Sequence, residues 1–99
     1  MWLLAGTDLT LDIDLGTAAV DGRTNCARLL GSLTFEDGGR RTSFSLPGRD
    51  DTRCSTAEVR AVDDIVELLE TVQTTIAVAG GFALFDGEDD RLGRLTSGA

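Results

Sequence analysis

The chain has 99 residues and carries 17 acidic residues against 9 basic ones, which gives a net charge of −8. That length fits one domain, residues 1–99, with room for one modest hydrophobic core. The negative charge repels phosphate backbones and anionic headgroups, which argues against nucleic acid as a partner. The apolar runs are too short to span a membrane, and the first five residues are too short for a signal peptide. We expect a monomer.

Alternating apolar and polar residues indicate the first strands. The run from Leu9 to Leu15 alternates strictly, which is typical of a half-buried strand with one wet face. Before it, residues 2–4 form a short lead-in that covers the edge of the core. After it, residues 18–20 form a short second strand. The dipeptide Asp21-Gly22 suits a tight hairpin and predicts the turn that ends this strand.

A second pair of strands is predicted in the middle of the chain. Residues 27–35 alternate around Gly31, and a glycine inside a strand indicates a bulge, a bend or a close approach by another segment. Residues 36–40 form a turn. Residues 42–46 alternate again, and Pro47-Gly48 is expected to end that strand.

The spacing of the apolar residues then changes from the two-residue period of a strand to the period of a helix. Ser55 and Glu58 fit a capping box, in which the side chain of each residue bonds the backbone N–H of the other. Apolar residues follow at helical spacing and predict a buried stripe. The stripe consists of Val59, Val62, Ile65, Val66, Leu69 and Val72.

Three more strands are predicted after the helix, at residues 74–78, 82–85 and 91–95. Gly80-Gly81 indicates a two-residue hairpin, and residues 86–90 form an acidic turn. The fold class is therefore α+β and mainly β. We expect a small antiparallel meander or barrel-like sheet of about six to seven strands, with one helix packed on it or plugging an end.

Cys26 and Cys54 are the two cysteines of the chain, and two interpretations stay open. A bridge between them closes a loop of about 29 residues and contributes about 3.5 kcal/mol in the chain-entropy model. Such a bridge requires an oxidising compartment. The other interpretation is a pair of buried free thiols that pack as small apolar groups. Two cysteines without His fall short of a tetrahedral metal site.

The sequence predicts no catalytic, cofactor-binding or metal-binding residue. Because the chain has no His, neither a Cys nor a Ser has the usual base beside it, so we expect no enzyme. The acidic residues at 86–90 do not match the spacing of a calcium loop and fit a solvated turn. Asp12 and Asp14 fit the wet face of a strand. Trp2 fits a lid over the core better than a stacking platform.

Several short motifs, taken in order, resemble the META/HslJ domain family over nearly the whole chain. The matching features are a Trp near the start, an alternating strand, a Gly before a Cys-Asn-type motif (in this chain the order is Asn-Cys), a Gly that opens a strand, a Thr segment that ends in Cys, an acidic helix and a final hairpin. These correspond to Trp2, residues 9–15, Gly22 with Thr24-Asn25-Cys26, Gly31-Ser32-Leu33, residues 52–54, the predicted helix and residues 78–84.

The resemblance implies a small barrel-like fold with a helix, a link to the bacterial envelope or the stress response, and no known enzyme activity. It also implies that related barrels hold a lipid tail or a peptide of a partner. We therefore predict a non-enzymatic binding or interaction module for a protein or a hydrophobic ligand. The alternative is a lipid or acyl-chain carrier of the pilot type, with a cavity between helix and sheet. The resemblance favours an exported protein, and a cytoplasmic protein is the alternative.

Overall fold

The computed structural model describes residues 1–36 and 41–97, which form eight strands and one helix. The fold is mainly β, as the alternation of the sequence predicted. The elements in chain order are β1 (Trp2–Leu4), β2 (Thr10–Asp14), β3 (Ala19–Arg23), β4 (Arg28–Glu36), β5 (Arg41–Asp50), α1 (Thr56–Thr71), β6 (Thr74–Val78), β7 (Gly81–Phe85) and β8 (Arg91–Ser97).

The strands form one antiparallel sheet in chain order, and the sheet closes into a ring because β1 pairs with β8 as well as with β2. The sequence predicted six to seven strands, and that number was too low. The missing strand is β1. Trp2–Leu4 was expected to be a lead-in, but three residues are enough to form ladders on both sides. Closure leaves fewer unpaired strand edges.

The ring is irregular between β5 and β6, which share the single pair Arg41↔Thr74. From that pair onwards α1 lies beside β5 in place of a strand. The backbone N–H of Thr42 donates to the carbonyl of Gln73 at 3.1 Å. The backbone N–H of Leu46 donates to the carboxylate of Glu70 at 3.0 Å. The helix therefore fills the gap in the ring and satisfies part of the exposed edge of β5.

The predicted turn at Asp21-Gly22 was wrong, because both residues lie inside β3 and pair with β2. The strand continues to Arg23 and the chain turns later, at residues 24–27, where the Thr24 hydroxyl accepts hydrogen bonds from the backbone N–H groups of Cys26 at 3.3 Å and Ala27 at 3.0 Å. Such a side chain builds a turn without any Asn-Gly or Asp-Gly pair. Gly22 has a packing role, since a Cβ there would meet a methyl of Leu11 at 3.0 Å.

Gly31 lies at a register irregularity between β4 and β5, as the glycine inside a strand predicted. A Cβ at this position would lie 1.8 Å from the carbonyl oxygen of Ser45, so the close approach requires glycine. Pro47-Gly48 does not end β5, which continues to Asp50, and this prediction was wrong. Pro47 falls at the irregularity, where the regular ladder is interrupted and a missing N–H does least harm.

The helix begins where the sequence predicted. The Glu58 N–H donates to the hydroxyl of Ser55 at 3.2 Å, and the Ser55 N–H donates to the carboxylate of Glu58 at 2.9 Å. Within the predicted stripe, four residues are buried and two are half-buried: Val62, Ile65, Leu69 and Val72, and Val59 and Val66. The buried stripe shares one hydrophobic core with residues of β1 to β5, β7 and β8, and β5 is the main neighbour of the helix. Packing of this face stabilises a helix that is otherwise rich in acidic residues.

The turns of the second half lie close to their predicted positions. The β6–β7 hairpin turns at Ala79 and Gly80, one residue earlier than predicted, because Gly81 already pairs with Val78. Gly80 has a φ of +78°, which glycine adopts without strain. The predicted turn at residues 36–40 lies mostly outside the described residues, and Glu36 itself belongs to β4.

Because the strands are antiparallel and follow chain order, the turns alternate between the two ends of the ring. We name one end the open end; it holds the turns at residues 15–18 and 79–80 and the start of β1. We name the other the disulfide end; it holds the turns at residues 5–9, 24–27 and 86–90 and the N-terminus of α1. Among the described residues, no helix combines the length and apolar character that crossing a membrane requires.

Candidate functional site

A cavity of about 700 Å³ lies at the open end of the ring. The carrier alternative placed a cavity between helix and sheet, and this one lies instead among the strands. The lining residues come from seven of the eight strands and from the residue that follows β2, and none comes from α1. They are Trp2, Ile13, Leu15, Leu33, Phe35, Glu36, Thr42, Phe44, Thr75, Ile76, Ala77, Phe82 and Leu95. The volume lies within the range of ordinary ligand pockets.

Aromatic side chains are concentrated in this cavity. The chain has five aromatic residues, and four of them line it: Trp2, Phe35, Phe44 and Phe82. The rings of Trp2 and Phe82 pack at a centroid distance of 5.2 Å and an angle of 58°, a tilted arrangement that suits aromatic pairs. Trp2 is half-buried, so it covers the core as predicted and also faces the cavity.

Apolar exposure is concentrated at the same place. Eight large apolar side chains in the described part of the chain are exposed, and four of them line the cavity: Leu15, Phe35, Ile76 and Phe82. Strand β6 shows this exposure most clearly, since none of its residues is buried and the apolar side chain of Ile76 is 48% exposed. Contiguous exposed apolar surface of this kind marks interaction sites in soluble domains.

Few polar groups face the cavity. Thr42 and Thr75 join their hydroxyl groups by a hydrogen bond of 3.0 Å across the gap between β5 and β6. Glu36 lines the cavity at the end of β4, and Arg41 lies opposite it in the β4–β5 ladder. An apolar wall with a few polar groups is the usual composition of a binding pocket.

The cysteines lie at the disulfide end of the ring. Cys26 in the β3–β4 turn and Cys54 before α1 form a disulfide, with their Cα atoms 5.1 Å apart. Of the two interpretations that the sequence left open, the structure has the bridge. It connects the sheet directly to the N-terminus of the helix.

Asn25 adds polar links beside this bridge. Its backbone N–H donates to Asp8 at 2.9 Å, and its side-chain amide donates to the carboxylate of Glu58 at 3.2 Å. Hydrogen bonds from the backbone and side chain of Ser55, and from Asn25, lower the pKa of Glu58. The Asn-Cys pair and the capping box thus form one connected group that holds the β3–β4 turn against the helix.

Arg49 continues the same attachment along the helix. Its guanidinium bonds Asp63 at 2.6 Å, Asp51 at 2.8 Å and the carbonyl of Val59 at 3.3 Å. The hydrogen bond that Arg49 donates to Asp63 raises the pKa of Arg49. On the outer face of the sheet, the hydrogen bond from Arg28 lowers the pKa of Asp21. These charges hold elements of the fold together, and none of them faces the cavity.

The acidic residues singled out in the sequence belong to turns and outer faces. In the turn at residues 86–90, the Asp86 carboxylate accepts the N–H groups of Glu88 and Asp90, which uses it to build the turn. Asp14 does the same after β2. Within residues 1–36 and 41–97, no group of three or more potential ligands could hold a metal ion.

A second depression, about 890 Å³ in volume, lies on the outer face of β2, β3 and β4. It is more open than the cavity, and its lining includes the carboxylates of Asp12, Asp14 and Asp21. Asp21 already pairs with Arg28 at 3.0 Å. We therefore take the cavity at the open end as the candidate site.

The sequence pattern did not mark Phe35, Phe44, Ile76 or Phe82 as site residues. Alternation grouped the first three with the apolar faces of their strands, but apolar positions that fill a core and those that line a cavity look alike in sequence. The sequence carried one usable signal, the total volume of its side chains. Five aromatic residues and several Gly and Ala leave the interior of a ring of this size underfilled.

Comparisons with family models, curated proteins and solved structures found no match to this chain. The resemblance to the META/HslJ family therefore stays a prediction that rests on the motifs alone.

Proposed function

We propose that this chain is a non-enzymatic binding domain of the META/HslJ type, which acts in the cell envelope or the stress response. It takes an apolar group of a ligand or partner into the open end of its ring. The observation that carries the proposal is the aromatic-lined cavity of about 700 Å³ with exposed apolar side chains at its rim. A core without a binding role would bury these side chains, because each one left exposed forgoes about 1–2 kcal/mol of burial.

A lipid or acyl-chain carrier is the second candidate, and the same cavity favours it. Its walls offer apolar surface of a size that accommodates a single chain. Both candidates require an apolar group in the cavity, so one experiment tests what they share.

The experiment uses Trp2, the only Trp in a chain that has no Tyr, as a reporter inside the site. Titration with 1-decanol, an uncharged single-chain probe, should shift the emission of Trp2 to shorter wavelength and saturate at one molecule per chain. Phe35→Ser should weaken binding about tenfold, because a wall of the cavity is lost.

Leu30→Ser is the matched control. Leu30 lies on the same strand with the same exposed fraction, 44%, but it does not line the cavity. Its variant should bind decanol as the wild type does. A Trp2 spectrum that does not respond to decanol or to any peptide would overturn the proposal.

The proposed compartment has its own test. Protein isolated from cells under acid quench should contain no free thiols if it functions in an oxidising compartment. Two free thiols per chain would favour the cytoplasmic alternative.

A further inference from the structure

A buried hydroxyl group lies in the wall of the cavity. Among the residues that the structure describes, Thr42 is the only buried polar residue, with 8% of its surface exposed, and it lines the cavity. Thr75 lines the cavity from β6, and the two hydroxyl groups are joined by a hydrogen bond of 3.0 Å. We name Thr42 and Thr75 the hydroxyl pair. Either hydroxyl can donate the bond, so the pair can meet a donor or an acceptor of a ligand.

The surroundings of the hydroxyl pair favour a role in ligand selection. The pair joins β5 to β6 close to the ladder pair Arg41↔Thr74, which is a use in the fold. It also lies within an apolar wall, since Phe44 on β5 and Ala77 on β6 line the same cavity. In ligand pockets, a few polar groups within an apolar wall fix the orientation of the ligand and determine specificity.

The charged groups at the described rim balance one another. Glu36 lines the cavity, and Arg41 lies opposite it in the β4–β5 ladder. The Asp14 carboxylate accepts the backbone N–H groups of Gly16 and Thr17, so it serves the turn. An ionised group that entered the cavity would lose its hydration without gaining an unbalanced counter-charge, which is unfavourable. An uncharged polar group loses less hydration and can bond a hydroxyl in return.

We propose that Thr42 and Thr75 select an uncharged, apolar small molecule that carries one hydrogen-bonding group, a hydroxyl or an amide, which bonds the hydroxyl pair. The aromatic rings of the cavity cover the apolar remainder of the molecule. This inference rests on the proposed function and specifies the chemistry of the ligand.

The test uses four probes that share a phenyl ring with one attached carbon: benzyl alcohol, toluene, benzylammonium and benzoate. Trp2 is the only Trp of the chain, so its emission reports the binding of each probe. Benzyl alcohol should bind the wild type about tenfold more tightly than either ion, because the ions find no unbalanced charge in the cavity. Tighter binding of either ion than of benzyl alcohol would overturn the inference.

The variant Thr42→Val/Thr75→Val removes both hydroxyls together and keeps the branched shape, so neither hydroxyl is left without the other. Val suits a strand as well as Thr does, so the variant should fold. It should bind benzyl alcohol about fivefold to tenfold more weakly and toluene as tightly as the wild type or more so. Thr42→Ser/Thr75→Ser keeps both hydroxyls and should retain the wild-type ratio of the two affinities.

Thr34→Val/Ser43→Ala is the matched control. It removes another hydroxyl pair, bonded at 2.6 Å between β4 and β5, which is exposed and does not line the cavity. Its affinities for benzyl alcohol and toluene should equal those of the wild type. If Thr42→Val/Thr75→Val changes the affinities for both probes equally, the pair serves only the fold, and the inference fails while the proposed function stands. Failure of decanol and of all four probes to shift the emission of Trp2 would overturn the proposed function itself.

Discussion

The two ends of the ring are built differently. At the disulfide end, covalent and polar links join nearly every neighbouring element: the bridge from Cys26 to Cys54, the capping box, Asn25 to Glu58, and Arg49 to Asp63. At the open end, half-exposed aromatic and apolar side chains surround a cavity. The covalent and polar links are therefore concentrated at one end, and the half-exposed apolar side chains at the other.

Removal of the disulfide should cause the largest loss of stability, and it tests the role of the disulfide end. The variant Cys26→Ala/Cys54→Ala should lose about 3.5 kcal/mol of unfolding free energy, because the bridge closes a loop across a sequence separation of 28. Urea unfolding measures the loss. Reductant should destabilise the wild type and leave the double variant unchanged, and an equal response of both would contradict the assignment.

Gly31→Ala tests the close approach between β4 and β5. A Cβ there would overlap the carbonyl oxygen of Ser45, so we expect a loss of about 2–3 kcal/mol from backbone displacement. Gly93→Ala is the matched control, since its nearest neighbour would be a Leu4 methyl at 3.7 Å, an ordinary contact. Thermal unfolding of the two variants compares them. Similar stability of both would contradict the close approach.

The contribution of the capping box to the disulfide end can be tested separately. Ser55→Ala removes the acceptor for the Glu58 N–H and should cost about 1 kcal/mol in urea unfolding. Thr56→Ser, one residue further along, keeps a hydroxyl and should change stability little. A Ser55→Ala variant as stable as the wild type would show that the cap contributes nothing.

The same box predicts a dependence on pH. The pKa of Glu58 is lower in the folded state than its ordinary value of 4.5. Its contribution is therefore present above the ordinary value and is lost as pH falls through the lowered pKa. In acid, Glu58→Gln should lose stability less steeply than the wild type, as followed by urea midpoints across a pH series. Parallel curves would contradict this contribution.

The smallest effect on stability is expected at the open end. Phe35→Ser should change unfolding free energy by about 0.5 kcal/mol or less, because the ring is already 44% exposed. Leu30→Ser should cost a similar amount. The two variants should differ in binding and agree in stability. A large loss of stability from Phe35→Ser alone would mean that the cavity wall belongs to the core.

The sequence predicted the periodic parts of the molecule and missed what depends on distant partners. Alternation and turn signals together identified seven of the strands, and the helix was found from its capping box and apolar stripe. The strand at Trp2–Leu4 was missed because its ladders come from residues far along the chain. The turn after β3 was misplaced because the Thr24 hydroxyl, and no turn dipeptide, builds it. The cavity was not located, because an unfilled volume depends on how every inward side chain packs against the others.

The pairing of the first strand with the last has a consequence for biosynthesis. Trp2–Leu4 pairs with Leu95–Ser97, so this seam of the ring cannot form until residues 95–97 have left the ribosome. Until then the indole of Trp2 and its aromatic neighbour Phe82 stay apart and accessible. A nascent chain stalled before residue 95 should therefore bind chaperones through the segment around Trp2, and emergence of residues 95–97 should end that association.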